Sequence, residues 1–275
     1  MKKRFLSVLL TITLALCSIS FTGCGSQKEE AAKKEESQDL LEEIKERGKI
    51  IIATEGTWAP WTYHDENDEL VGFDVEVAKA IAEKLGVKAE FVEVEWDGIF
   101  AGIDAKRYDI TCNGVEVDEE RAEKYNFTDP YAYMRTAVIV REDDDRISSL
   151  NDLKGMKTAN TLQSTYAKIA ENYGAEVTGV DDLIQTIQLL ESGRIDATLN
   201  AEVSYYDYMK EHPEAKLKIA ALGNDASLVS IPVRKGAENE SLIEAINKAI
   251  KELADEGVLT ELSNKYFGSD ITKAD

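Results

Sequence analysis

Three tryptophans, Trp58, Trp61 and Trp96, stand with Glu55 in the first half of this 275-residue chain, each shortly after an apolar run. Asn113, Gly114, Glu116 and Arg121 follow a third such run, and Gln163, Ser164 and Thr165 a fourth. Asn200 and Glu202 follow a fifth. The types are complementary to a zwitterion. Arg121 offers a planar fork suited to a carboxylate. Free N–H groups around Ser164 and Thr165 would form a second anion cradle at a helix start. Glu55 offers an anion for an ammonium group, and the tryptophans offer flat walls. Each residue also has a plainer reading. From spacing alone Arg121, in VDEERAEK, reads as a solvated helical charge, Ser164 as a helix cap, Glu116 and Asp118 as surface acids, and a tryptophan as core or lid. Only two histidines exist, His64 and His212, in different halves. This argues against a histidine-built metal site and against a Ser–His or Cys–His catalytic pair. No cofactor is expected.

The chain carries 32 Lys and Arg against 53 Asp and Glu, a formal charge of −21. Such acidity repels a phosphate backbone, so a nucleic-acid partner is excluded. The first 23 residues have a basic start, Lys2, Lys3 and Arg4, followed by FLSVLLTITLALCSISF, the pattern of an export signal. FTGC at its end resembles a lipobox, in which Cys24 is acylated and becomes the mature N-terminus. Without residues 1–23 the charge becomes −24. Residues 24–46 are expected to be a flexible tether, dominated at first by Lys and Glu. Cys112, in YDITCN, is then left without a disulfide partner and reads as a small buried thiol.

The elements that would position these groups alternate. KIIIATE reads as a strand, and Asp74 as the cap of a helix through Val77, Ile81 and Leu85. AEFVEV is the next strand, Asp97 caps a helix through Ile103, and YDITCN is a third strand. KTANTL, a helix over 164–172, EVTGV, a helix over 181–191 and DATLN repeat the plan. Such alternation implies parallel α/β sheets. RYDITCN and RIDATLN agree at Arg, Asp, Thr and Asn, so two lobes of similar architecture are expected. TAVIVRE (136–142) and LVSIPVRK (228–235) read as two hinge strands. The lobes then comprise residues 47–135 with 231–275, and 136–230, with ligand in the cleft between them.

TEGTWAPWTYHD, LVGFDVEVAKAIAEKLG, EERAEKYNFTDPY and LTELSNKYFG resemble the polar amino-acid family of ABC-transporter solute-binding proteins, over about residues 47–268. The resemblance implies a two-lobed periplasmic-binding-protein (Venus flytrap) fold, type II-like, without catalysis. It also implies binding roles for Glu55, Trp58, Trp96, Asn113, Gly114, Arg121 and Thr165, with Arg121 and the Thr165 amide on the ligand's α-carboxylate. Two positions depart from the family. Glu116 stands where a small hydroxyl is usual, and Ala201 where an Asp usually holds the ammonium, so Asn200, Glu202 or Glu116 is left to compensate. TEGTW, FAGIDAKRYD and ATLNAEVSYYDYMK are most similar to cystine-binding members.

The resemblance therefore implies a receptor that delivers a polar amino acid, best L-cystine, to permease subunits; the lipobox adds a lipid anchor on the outer face of the membrane, and a monomer is expected. Alternatives are arginine or glutamine as ligand, or a cyclohexadienyl dehydratase-like enzyme using Glu116 or Glu202 as acid.

Overall fold

The computed structural model describes residues 39–223 and 226–273. The export segment and Cys24 lie outside the described residues, as does the tether up to residue 38. Residues 39–46, expected to belong to the tether, are instead folded. The Asp39 carboxylate accepts the Glu42 N–H at 3.1 Å and caps a helix over Leu40–Arg47. Leu40 and Ile44, four residues apart, face the same way and are buried, so this segment is part of the folded unit.

Lys49–Thr54 is rich in β-branched residues and lies at the centre of a parallel sheet, between Lys88–Glu93 and Ile110–Thr111. The helices Phe73–Leu85 and Trp96–Asp104 are the crossovers that parallel pairing requires. A second sheet repeats the order. Lys157–Asn160 lies between Glu176–Gly179 and Ala197–Ala201, all parallel. Two further strands make this sheet mixed rather than parallel throughout. Thr136–Arg141 pairs antiparallel with Ala197–Ala201, and Leu217–Leu222 pairs antiparallel with Thr136–Arg141.

The sequence repeat has a physical basis. The Asp109 carboxylate accepts the Ile51 N–H at 2.7 Å and pairs with Arg47; the Asp196 carboxylate accepts the Lys157 N–H at 2.9 Å and pairs with Arg146. The Thr111 hydroxyl donates to the Ala53 carbonyl at 2.9 Å, and that of Thr198 to the Ala159 carbonyl at the same distance. In each lobe, therefore, the matching Asp and Thr tie the third strand to the first.

The crossing strands differ from expectation on one side. Ala132–Met134 pairs antiparallel with Ser227–Val229, and Tyr125–Phe127 with Pro232–Arg234. TAVIVRE is instead buried inside the second sheet, because its unbroken apolar run suits a central strand. The helices Glu240–Asp255 and Val258–Phe267 return to the first lobe. Phe267 packs on Trp61 and Phe73, and Lys84 pairs with Glu256 at 2.6 Å. Among the described residues no helix is long and apolar enough to cross a membrane.

Thr111→Val and Thr198→Val each remove the buried hydrogen bond to the first strand, a loss of about 1 kcal/mol, and Thr198→Val also removes the longer bond that the Asn160 amide donates at 3.4 Å. Calorimetry should show each lowering the melting temperature by about 2–4 °C.

Candidate functional site

The C-terminal ends of the central strands meet at a cavity between the lobes, with about 550 Å³ of space when its opening to solvent is counted. From the first lobe, Glu55, Trp58, Trp96, Gly114, Glu116 and Arg121 line it; from the second, Ser164, Thr165 and Asn200 do. Sequence reasoning reached all of these, through the rule that open α/β sheets bind at strand ends. Asn113 stands behind the wall. Its carbonyl oxygen accepts from the Thr54 and Thr62 hydroxyls and the Glu55 N–H, which fixes its amide nitrogen on the Glu55 carboxylate at 2.7 Å. It therefore positions Glu55. Glu202 does not line the cavity. It opens the Glu202–Glu211 helix and lies 4.0 Å from Arg135.

Arg121 is only 5% exposed. Its guanidinium lies 5.3 Å from the centroid of Trp96 and 5.2 Å from that of Phe100, where both rings attract the cation. Nη1 donates to the Glu116 carbonyl at 2.9 Å and the Thr165 hydroxyl at 3.0 Å; Nη2 donates to the Gln163 carbonyl at 3.0 Å. Thus the fork already reaches across to the second lobe. Other contacts cross the cleft too. Trp58 Nε1 donates to Asn200 Oδ1 at 3.2 Å, and the Gln163 N–H to the Asp97 carboxylate at 3.3 Å. At the rim, Lys168 pairs with Asp118 at 3.1 Å and Glu120 at 2.8 Å. The lobes are closed on each other. Asp97 thus serves as a cross-lobe acceptor, while the helix it was expected to cap starts at Trp96 after Glu95.

Trp58 rests against the backbone of Gly114, whose φ of 57° is left-handed. A Cβ there would lie 2.5 Å from the indole, so only glycine admits this contact. The Gly114 N–H is held by Asp74, which also accepts the Tyr131 hydroxyl at 2.9 Å. Asp74 was expected to cap a helix, but the helix starts at Phe73 after Gly72, which turns this carboxylate inward. Complete burial raises its pKa to about 7, although the Gly114 N–H partly opposes the rise. Cys112 is buried as expected and donates to Tyr131 at 3.6 Å.

Burial likewise raises Glu55 to about 7, against the Asn113 hydrogen bond and assisted by the negative charge of Asp182. Burial raises Glu116 too, opposed by the Ser227 and Thr165 hydroxyls and then by Arg121. Three residues that line the cavity each hold a buried polar atom that finds no partner in the protein: Glu116 Oε1, Asn160 Oδ1 and Trp96 Nε1. Two are acceptors and one is a donor. Asn160, Thr161 and Asp182 were missed from the sequence. The strand-end rule points to the first two, just as it did to Asn113. Asp182 caps the Leu183–Glu191 helix by accepting the Gln185 N–H at 2.8 Å, and its sequence signal is that of any helix start. The Ser164 hydroxyl, as its plainer reading holds, accepts the Ala167 N–H at 3.1 Å. Among the described residues no cluster of His, Cys, Asp or Glu is arranged to hold a metal ion.

Residues 50–269 match the model of the bacterial extracellular solute-binding proteins, family 3. The L-cystine-binding protein TcyA of Bacillus subtilis is 36% identical over 274 residues, covering 99% of this chain and 100% of that protein. Among solved structures, an ancestral arginine-binding protein bound to glutamine is 38% identical with a TM-score of 0.76, covering 81% of this chain and 99% of that one. The L-cystine solute receptor of Neisseria gonorrhoeae, unliganded and open, is 40% identical, with a TM-score of 0.59, and covers 85% of this chain and 99% of its own. At similar identity the ligand-bound structure superposes better, as befits lobes bridged across their cleft.

Glu55 titrates near 7 when folded and near 4.5 when unfolded, so the folded chain binds the extra proton and loses stability as pH rises through that window. Glu55→Gln should therefore gain stability relative to the wild type between pH 4.5 and 7.5. A melting-temperature difference that stays flat with pH contradicts this assignment.

Proposed function

Because the chain belongs to the bacterial extracellular solute-binding proteins of family 3, we propose that it is the receptor of an ABC importer and that its ligand is L-cystine. The observation that carries the amino-acid reading is the set of buried atoms without protein partners. Glu116 Oε1 and Asn160 Oδ1 are acceptors for an ammonium, and Trp96 Nε1 is a donor for a carboxylate oxygen. Leaving such groups unmet costs about 1–3 kcal/mol each, so a zwitterion that meets all three gains by the same measure.

In this reading the ligand carboxylate sits on Arg121, in place of the Gln163 carbonyl and the Thr165 hydroxyl, with the first amides of the Thr165–Asn172 helix beside it. Glu116 takes the ammonium. It lines the cavity where Glu202 does not, and Asn200 is already engaged by Trp58 and by the Ala201 N–H at 2.8 Å. The side chain lies along Trp58, whose indole offers a sulfur–aromatic contact worth about 0.3–1.5 kcal/mol to a disulfide. Glu55 and Asp182 line the same cavity and suit a ligand with a second positive group. TcyA supports cystine as that ligand. Closure is then a population shift toward the state in which both lobes touch the ligand.

We read FTGC as a lipobox with Cys24 as the lipid-bearing residue, a tether from which the folded unit would present its ligand to the permease. Cys24→Ser should move the protein from the membrane to the soluble fraction with unchanged folding, as fractionation will read.

Calorimetric titration tests the ligand. L-cystine should bind at least tenfold tighter than arginine or glutamine, a difference of about 1.4 kcal/mol. Arg121→Lys, which keeps the charge but loses the planar fork, should cost about 2–5 kcal/mol of affinity. Tighter binding of arginine overturns the cystine assignment alone; unchanged affinity in Arg121→Lys overturns the carboxylate site.

A further inference from the structure

A second cavity lies between the lobes, with about 770 Å³ of space when its opening to solvent is counted. It shares Thr57 and Leu183 with the first, so the two cavities are adjacent at these residues. Glu55 and Asp182, which line the first cavity, are their near neighbours in sequence. On the second lobe the wall is one face of the Glu202–Glu211 helix. Ser204, Asp207, Tyr208 and Glu211 follow the i, i+3, i+4, i+7 spacing that aligns side chains along a helix. Tyr63 and His64 face this stripe from the first lobe.

Two features of that stripe point to a ligand. Ser204 is fully buried, and its hydroxyl finds no partner in the protein. Asp207 makes no side-chain hydrogen bond with another described residue; burial raises its pKa, and Lys210 only partly opposes the rise. A half-buried carboxylate beside an unmet hydroxyl, with tyrosines on both walls, is a seat for an ammonium group.

Resting on the reading of the first cavity as an amino-acid site, we propose that this second chamber receives the far head group of a double-headed amino acid, with its ammonium on Asp207 and the Ser204 hydroxyl. L-cystine is such a ligand. One head is held by Arg121 and Glu116, the disulfide passes Thr57 and Leu183, and the second head lies in the chamber.

The test compares L-cystine with S-methylthio-L-cysteine, which keeps one head and the disulfide but ends in a methyl group. By calorimetric titration the wild type should bind L-cystine at least tenfold tighter. Asp207→Asn should abolish that preference, bringing the L-cystine affinity down to that of S-methylthio-L-cysteine; binding of the shorter probe shows that the variant is folded. Equal affinities in the wild type, or a preference that survives in Asp207→Asn, overturn the second chamber and leave the first-cavity reading standing. Failure of the wild type to bind either probe overturns both.

Discussion

A guanidinium buried between two lobes must be partnered on every side, and the rest of the cleft is arranged around that constraint. Removing a charge from water costs several kcal/mol unless other groups replace the lost hydration. Arg121 meets this requirement with groups from both lobes: the Glu116 carbonyl on its own side, the Gln163 carbonyl and Thr165 hydroxyl opposite, and the rings of Trp96 and Phe100. Opening the cleft removes the opposite partners. A ligand carboxylate is a better partner than either, being charged and planar. Ligand binding and lobe closure therefore draw on the same side chain.

The acids of the cleft follow from the same low-dielectric setting. Glu55, Asp74 and Glu116 all titrate upward, each first because of burial. Asp74 keeps its place through the Gly114 N–H and Tyr131, and so holds the strand end on which Trp58 rests. Glu55 and Glu116 instead line the cavity. An ammonium group there would favour their ionised forms, whereas a second carboxylate would oppose them.

Much of this was legible in the sequence. The strand–helix alternation gave both sheets, and the matching Asp and Thr of RYDITCN and RIDATLN proved to be the residues that join third strand to first in each lobe. The rule that ligands gather at strand ends found Glu55, Trp96, Gly114 and Asn200. Contacts between distant segments were harder to read. Nothing local distinguishes Asp182, a helix cap that also faces the cavity, from Asp74, whose carboxylate is claimed by an N–H forty residues away. Glu202 lies two residues from Asn200, but the helix that starts there carries it toward Arg135. TAVIVRE has the composition of a connector and of a central strand alike, and pairing decides between them.

The most direct measurement is a crystal structure of the chain grown with L-cystine. Binding as described places one α-carboxylate within about 3 Å of the Arg121 guanidinium, with the adjacent ammonium at Glu116 and both lobes in contact with the ligand. Density for cystine outside the cleft, or with the ammonium turned toward Arg121, would contradict it.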